Sequence, residues 1–119
     1  MGRKREYRIL FRFSLFFYLQ EATMLESNFQ SKLIKELKER FPDCIVLKND
    51  PNYISGIPDL LVLYKNKWAM LEVKRSSGAS TRPLQKYYVE KTNSMSFARF
   101  INPENKEDVL NELERTFES

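Results

Sequence analysis

GIPDLLVLYKNKWAMLEVK, the stretch at residues 56–74, decides the fold of this chain. It contains two short runs rich in aliphatic and aromatic residues, at 60–64 and 68–73, with the polar spacer Lys65-Asn66-Lys67 between them. Runs of this length and composition around a spacer of two or three polar residues are typical of a β-hairpin. We therefore predict that the two runs pair as antiparallel strands.

The predicted hairpin brings three charged side chains together. Glu72 and Lys74 lie two positions apart on one strand and so point to the same face. A turn centred on residues 65–66 places Asp59 opposite Glu72, and a turn centred on 66–67 places it opposite Lys74. In either register, opposed Cβ atoms lie about 4.5–5.5 Å apart. Two carboxylates this close repel each other unless a cation lies between them, which favours a site for a hard divalent ion.

The rest of the chain supplies the other elements of a small α/β fold. Apolar residues at three- and four-residue intervals predict a helix over residues 24–41, and residues 44–47 form a short strand. A second helix is predicted from Thr81 and Pro83 to about Ser94. A strand at 97–101 and a last helix capped by Asn102-Pro103 follow. The order α-β-β-β-α-β-α predicts a mixed four-stranded sheet flanked by helices.

Glu26 stands out because it falls inside the apolar stripe of the first predicted helix, between the angular positions of Leu33 and Leu37. A buried carboxylate needs a partner, and the nearest candidates are Asp59 and Glu72. The alternative is a capping box over residues 23–26, in which Glu26 bonds back to Thr23 at the helix start.

Composition narrows the possible chemistry. The 119 residues suit one domain, and the chain contains no histidine, one cysteine and three glycines. These counts exclude imidazole-based catalysis, an intramolecular disulfide and a glycine-rich nucleotide-binding loop. Chemistry must come from carboxylates and lysines, and the single Cys44 fits a reducing, cytoplasmic setting.

The positive charge is concentrated at one end. The net charge of +4 includes five basic and two acidic residues within 1–23, which leaves residues 24–119 close to neutral. We therefore expect residues 1–23 to be a peripheral basic and aromatic extension, and 24–119 to be the folded domain. Nucleic-acid binding has to be argued from local features rather than from net charge.

Two segments resemble a known family. Gly56-Ile57-Pro58-Asp59 and Leu71-Glu72-Val73-Lys74 resemble the split signature of the PD-(D/E)XK nuclease superfamily. Glu26 in the leading helix and Gln85 in the helix after the signature resemble its VRR-NUC branch, which includes small phage-type, Holliday-junction-resolvase-like members. The resemblance implies a restriction-endonuclease-like core and a VRR-NUC-like nuclease domain over residues 24–119.

The resemblance also implies roles for individual residues. Asp59, Glu72 and the Val73 carbonyl would bind Mg²⁺ or Mn²⁺, with Glu26 completing the shell or holding a second ion. Lys74 would orient the attacking water, and Gln85 would position water or phosphate. Contacts to the DNA backbone are expected from four cations that flank this centre: Lys48, Arg75, Arg82 and Lys86.

The resulting hypothesis is a metal-dependent phosphodiester hydrolase. We expect an endonuclease selective for DNA structure, such as a junction, flap or branch, because no base-reading element is recognisable. A homodimer is expected, acting in the cytoplasm, including that of a phage host, without a membrane or a nucleotide cofactor. The alternatives are a non-catalytic nucleic-acid-binding protein on the same fold and a protein-interaction module that uses Tyr53, Tyr64, Tyr87 and Tyr88.

Overall fold

The chain folds into a mixed four-stranded sheet with three helices packed on it. A computed structural model describes residues 2–119, and their side chains from residue 14 onward. The elements are α1 Gly2–Arg40, β1 Ile45–Lys48, β2 Leu60–Tyr64, β3 Lys67–Val73, α2 Pro83–Met95, β4 Ala98–Ile101 and α3 Lys106–Glu118. The sheet order is β1-β2-β3-β4, and only β4 is parallel to its neighbour. The predicted α/β class and element order are confirmed.

The central hairpin adopts the first of the two possible registers. Tyr64 pairs with Lys67 and Leu60 pairs with Leu71, so the turn consists of two residues and Lys67 belongs to β3. Lys65 has φ 56°, the positive value that tight hairpin turns require. Continued by one residue, this register brings Asp59 beside Glu72.

One face of the sheet forms the hydrophobic core. Five strand residues at alternate positions point to this face and are buried: Leu60 and Val62 of β2, and Ala69, Leu71 and Val73 of β3. They pack with Phe41, directly after α1, and with the buried sides of α1 and α3. These two helices contribute Leu33, Leu37, Val109, Leu110, Leu113 and Phe117. The apolar spacing of residues 109–117 predicts this buried side of α3, and the structure confirms it.

The first helix is much longer than its apolar periodicity indicated. It begins at Gly2 rather than at Met24, because no proline or internal glycine interrupts residues 3–40. Leu25 is 56% exposed, although the apolar spacing over residues 24–41 predicts that it belongs to the buried stripe. Packing against the core starts only at Phe29, because α1 extends beyond the sheet on its N-terminal side.

The N-terminal half of α1 presents large apolar side chains to solvent. Leu15, Phe16, Tyr18 and Leu19 are each about half exposed. Within the part of the chain that the structure describes, no helix has both the length and the hydropathy needed to span a bilayer.

Element ends differ locally from the sequence predictions. The last helix is not capped by Asn102-Pro103; its N-cap is Asn105. Asn102 instead forms a turn in which its Oδ1 accepts the backbone N–H groups of Glu104 and Asn105, at 2.9 and 2.8 Å. β1 begins at Ile45, one residue late, and Cys44 is only half-buried against the core.

Candidate active site

The candidate site forms where β2 begins and β3 ends. Oδ2 of Asp59 accepts the backbone N–H of Val73 at 2.8 Å. Because the N–H and C=O of one strand residue point to the same side, the Val73 carbonyl faces Asp59 as well. The structure therefore brings together the Asp59 carboxylate and the Val73 backbone.

Asp59 is held in place through its backbone. Its carbonyl accepts the N–H of Asn49 at 2.8 Å, and the Asn49 side chain donates to the Pro58 carbonyl at 2.8 Å. Pro58 is buried and fixes φ directly before Asp59. These contacts leave the Asp59 side chain free to turn toward β3.

Glu72 is a buried carboxyl with an unmatched oxygen. Its residue is 2% exposed, and its Oε1 accepts the side-chain N–H of Gln85 at 3.3 Å. Among the described residues, no donor reaches its buried Oε2.

The protonation of Glu72 depends on its surroundings. Burial raises the pKa of Glu72 to about 8, and the charge of Asp59 and a side-chain hydrogen bond between Asp59 and Glu72 add to this effect. The two carboxyls can share that hydrogen bond only while one of them is protonated.

This arrangement fits a hard divalent cation. Two adjacent carboxyls, one of them with a buried oxygen that lacks a donor, and a nearby backbone carbonyl are the oxygen ligands that Mg²⁺ prefers. The described residues contain no group of three or more Asp, Glu, Cys or His side chains arranged to hold a metal. The candidate set is therefore Asp59, Glu72 and the Val73 carbonyl, which has only two acidic side chains.

Lys74 lies beside this pair and is held by α2 and the preceding loop. Its Nζ donates to Gln85 Oε1 at 2.8 Å and to the Ser80 carbonyl at 3.1 Å. The same Gln85 oxygen accepts the Arg82 N–H at 3.1 Å. Gln85 thus connects Lys74 to Glu72 and also satisfies a backbone donor at the start of α2.

The part played by Ser80 was not predicted from the sequence. It acts through a backbone carbonyl in a loop, and no side-chain pattern signals such a contact. The second role of Gln85 had a detectable signal, because it stands three residues after Arg82, at the position where a Glu or Gln bonds back to the N-cap.

Glu26 belongs to the same electrostatic environment. Burial and the charge of Asp59 raise the pKa of Glu26, whereas Lys74 and Arg75 lower it. The capping explanation is wrong, because Thr23 lies inside α1 and its Oγ1 donates to the Leu19 carbonyl at 2.9 Å. Glu26 faces the site without joining Asp59 and Glu72 in a three-carboxylate cluster.

A cleft of about 570 Å³ opens onto Asp59 and Glu72. One wall is the loop before β2, and the other is the start of α2, from Arg82 to Gln85. The two walls are in close contact at Gly56. Its φ is +87°, and a Cβ at this position would lie 2.6 Å from the Leu84 Cβ. The glycine before Pro58-Asp59 is therefore required by the backbone conformation and by close packing.

The four cations predicted to bind DNA are not equivalent. Arg82 lines the cleft. Lys48 ends β1 opposite Leu60, next to the Asn49 that anchors Asp59. Arg75 borders a separate pocket against α1, and Lys86 is exposed on α2 without lining the cleft. The structure brings Arg82, and less directly Lys48, toward the site.

The alternative interaction surface of four tyrosines is not one surface. Tyr53 is 86% exposed and Tyr87 is 50% exposed, whereas Tyr64 packs against the rings of Phe41 and Phe117. The four residues therefore do not form a shared binding patch.

Comparison with known proteins adds no assignment. No protein-family model matches this chain, and no curated protein matches it.

Proposed function

We propose that this chain is a Mg²⁺- or Mn²⁺-dependent DNA endonuclease of the PD-(D/E)XK superfamily, similar to the small VRR-NUC nucleases. The observation that carries the proposal is the buried Glu72 oxygen without a donor, next to Asp59 and at the floor of the cleft. A buried, unsatisfied carboxylate is costly in a metal-free protein. A divalent cation held by Asp59 and Glu72 would remove that cost.

Each residue of the site has a role in this proposal. Asp59, Glu72 and the Val73 carbonyl would hold the cation, and Glu26 would contribute negative charge from the side of α1. A bound Mg²⁺ or Mn²⁺ would supply a lowered pKa for the attacking water and polarise the phosphodiester. Lys74 would orient that water and stabilise negative charge on the phosphate.

Gln85 keeps Lys74 within reach of the reaction. Its oxygen accepts from Lys74 at 2.8 Å while its amide donates to Glu72 at 3.3 Å. The bridge therefore holds the cationic and anionic side chains beside each other without a direct ion pair. Lys74 is 9% exposed, and its hydrogen bonds go to the neutral oxygens of Gln85 and Ser80.

DNA is the proposed substrate, and selectivity for a branch, flap or junction is proposed because the described chain is too small for an evident base-reading element. Arg82 would contact the phosphate backbone at the cleft, with Lys48, Arg75 and Lys86 flanking it. We further propose a homodimer that acts in the cytoplasm, since many branched substrates need two cuts.

The proposal is tested with the purified full chain on linear, flap and four-way-junction DNA, in Mg²⁺, Mn²⁺ and EDTA. We expect metal-dependent cleavage that Asp59→Asn abolishes. Asp43→Asn is the matched control, because Asp43 is exposed at φ 70°, a conformation that asparagine tolerates. Cleavage in EDTA, or no cleavage of any substrate, would contradict the proposal. DNA binding without cleavage would favour the non-catalytic alternative.

A further inference from the structure

The sheet face that carries Asp59 and Glu72 also presents six apolar residues. The register pairs Ile45 with Leu63 and Leu47 with Leu61, and pairs Leu61 with Met70 and Leu63 with Trp68. Side chains at alternate positions share a face. These six residues therefore form one continuous surface across β1, β2 and β3: Ile45, Leu47, Leu61, Leu63, Trp68 and Met70. We call it the open face.

The described chain leaves the β1 and β2 part of the open face uncovered. Ile45 is 55% exposed and Leu47 is 45% exposed, and the other four are partly exposed. The opposite face holds the core residues of β2 and β3 and packs on α1 and α3. On the open-face side, α2 packs on β3 and β4, so β1 and β2 remain bare.

Helix α2 forms a ridge beside this bare surface. At 100° per residue, Leu84, Tyr88 and Met95 lie along one flank of the helix and Asn93 lies on the other. The Asn93 side chain accepts the Ala98 N–H at 3.1 Å, so its flank faces β4. The flank with Leu84 and Met95 therefore faces β2, and these two side chains are 49% and 65% exposed.

We propose that the open face and the adjacent flank of α2 form a homodimer interface. Helix α2 stands beside the bare strands β1 and β2, so the exposed flank of α2 in one copy can pack on the bare strands of the other about a two-fold axis. None of the six strand residues carries a charge, which disfavours docking of a nucleic-acid backbone. Residues 24–119 hold fifteen basic and fourteen acidic groups, so two copies repel each other only weakly.

The available area matches what a dimer needs. Large apolar and aromatic side chains carry about 150–250 Å² each. Four of those on the open face and the α2 flank are about half exposed or more: Ile45, Leu47, Leu84 and Met95. With the partly exposed residues of β2 and β3, the apolar area is on the order of 600 Å² per copy, close to the roughly 800 Å² of a standard interface.

The interface lies next to the proposed active site. Met70 is two positions before Glu72 on the same face of β3, a separation of about 7 Å along the strand. The two clefts of a dimer would thus lie at the margins of one interface. The inference rests on the homodimer of the proposed function and names the surface that forms it.

Two matched pairs of substitutions in the full chain test this surface. Leu47→Glu with Met95→Glu places two carboxylates on it, whereas Phe16→Glu with Leu19→Glu makes the same change on the exposed part of α1. All four side chains are about half exposed or more, so neither pair disturbs a buried position. Circular dichroism verifies folding, and sedimentation equilibrium measures the mass across the micromolar range.

We expect wild type and the α1 pair to sediment at twice the 14.2 kDa of the chain, and the open-face pair to sediment as a monomer. Hydrogen exchange on wild type provides a test without variants, because residues 45–47 and 84–95 should gain protection as concentration rises. A monomeric wild type, an open-face pair that stays dimeric, or dissociation by the α1 pair would each overturn the inference. A monomer that cleaves DNA would overturn only the interface, whereas an inactive dimer would overturn only the nuclease.

Discussion

Replacing Glu72 by glutamine separates the metal site from the fold. Glutamine keeps the acceptor that receives the Gln85 amide. Its own amide can donate to Asp59 at every pH, whereas Glu72 can donate to Asp59 only while Glu72 is protonated. The substitution thus removes one negative charge from a buried position and replaces Oε2 of Glu72, which lacks a hydrogen-bond partner, with an amide that can donate to Asp59. We expect Glu72→Gln to stabilise the metal-free protein and to abolish metal binding.

The magnitude follows from the pKa of Glu72, which burial raises from the ordinary value of 4.5 to about 8. A carboxyl whose pKa is higher in the folded state stabilises the fold fully below its unfolded pKa and loses that contribution as pH rises through the folded pKa. The pH window is therefore 4.5 to about 8. At about 1.4 kcal/mol per pKa unit, the rise from 4.5 to about 8 lowers the unfolding free energy of wild type by roughly 5 kcal/mol at pH 9 relative to pH 4.

The assay is urea unfolding of wild type and Glu72→Gln in EDTA at several pH values between 4 and 9. The difference between the two proteins isolates Glu72 from all other titrating groups. We expect the variant to be increasingly more stable than wild type as pH rises. Saturating Mg²⁺ at pH 8 should stabilise wild type alone. Parallel pH curves in EDTA would refute the reasoning about the buried carboxyl.

Three further substitutions probe the surroundings of the site. Gly56→Ala should lower the free energy of unfolding by about 1–3 kcal/mol, because the new Cβ would lie 2.6 Å from the Leu84 Cβ at a positive φ. Urea denaturation measures this loss. Gly78→Ala is the control and should be neutral, because a Cβ at Gly78 has no atom within 4 Å. Glu26→Gln should leave the free energy of unfolding within about 0.5 kcal/mol of wild type and should weaken Mg²⁺ binding measured by calorimetry. A lower free energy of unfolding with unchanged Mg²⁺ affinity would contradict the proposed role of Glu26. Gln85→Glu keeps the oxygen that accepts the N–H at the start of α2 but removes the amide that donates to Glu72. DNA cleavage should therefore fall while the helical circular-dichroism signal stays unchanged. A wild-type cleavage rate would show that the Gln85 contact between Lys74 and Glu72 is dispensable.

The hairpin that forms the site was predictable because its information is local. Two continuous apolar runs on either side of residues 65–67 define both strands. The sequence left two registers open, and the structure selects the one that places Asp59 beside Glu72. The order of the remaining elements was predictable for the same reason, since each is bounded by proline, asparagine or serine.

The errors arose where tertiary context decides. The pattern at Thr23 and Glu26 matches a capping box, but a helix continuing from Gly2 removes the cap. Asn102 and Asn105 are both suitable N-caps, and only the folded turn selects Asn105. The burial of Glu72 was also inaccessible, because it depends on α2 packing over the end of β3 and on Gln85 reaching across.

The most direct test of the central claim is the single-turnover rate at which the protein cleaves branched DNA in Mg²⁺. Lys74→Ala should lower this rate by about 10²–10³-fold, the effect of removing one group that stabilises charge in the transition state, while DNA binding remains. Lys35→Ala, an exposed lysine on α1, serves as the matched control and should retain the wild-type rate. EDTA should abolish cleavage by wild type. A wild-type rate for Lys74→Ala, or cleavage that persists in EDTA, would contradict the account.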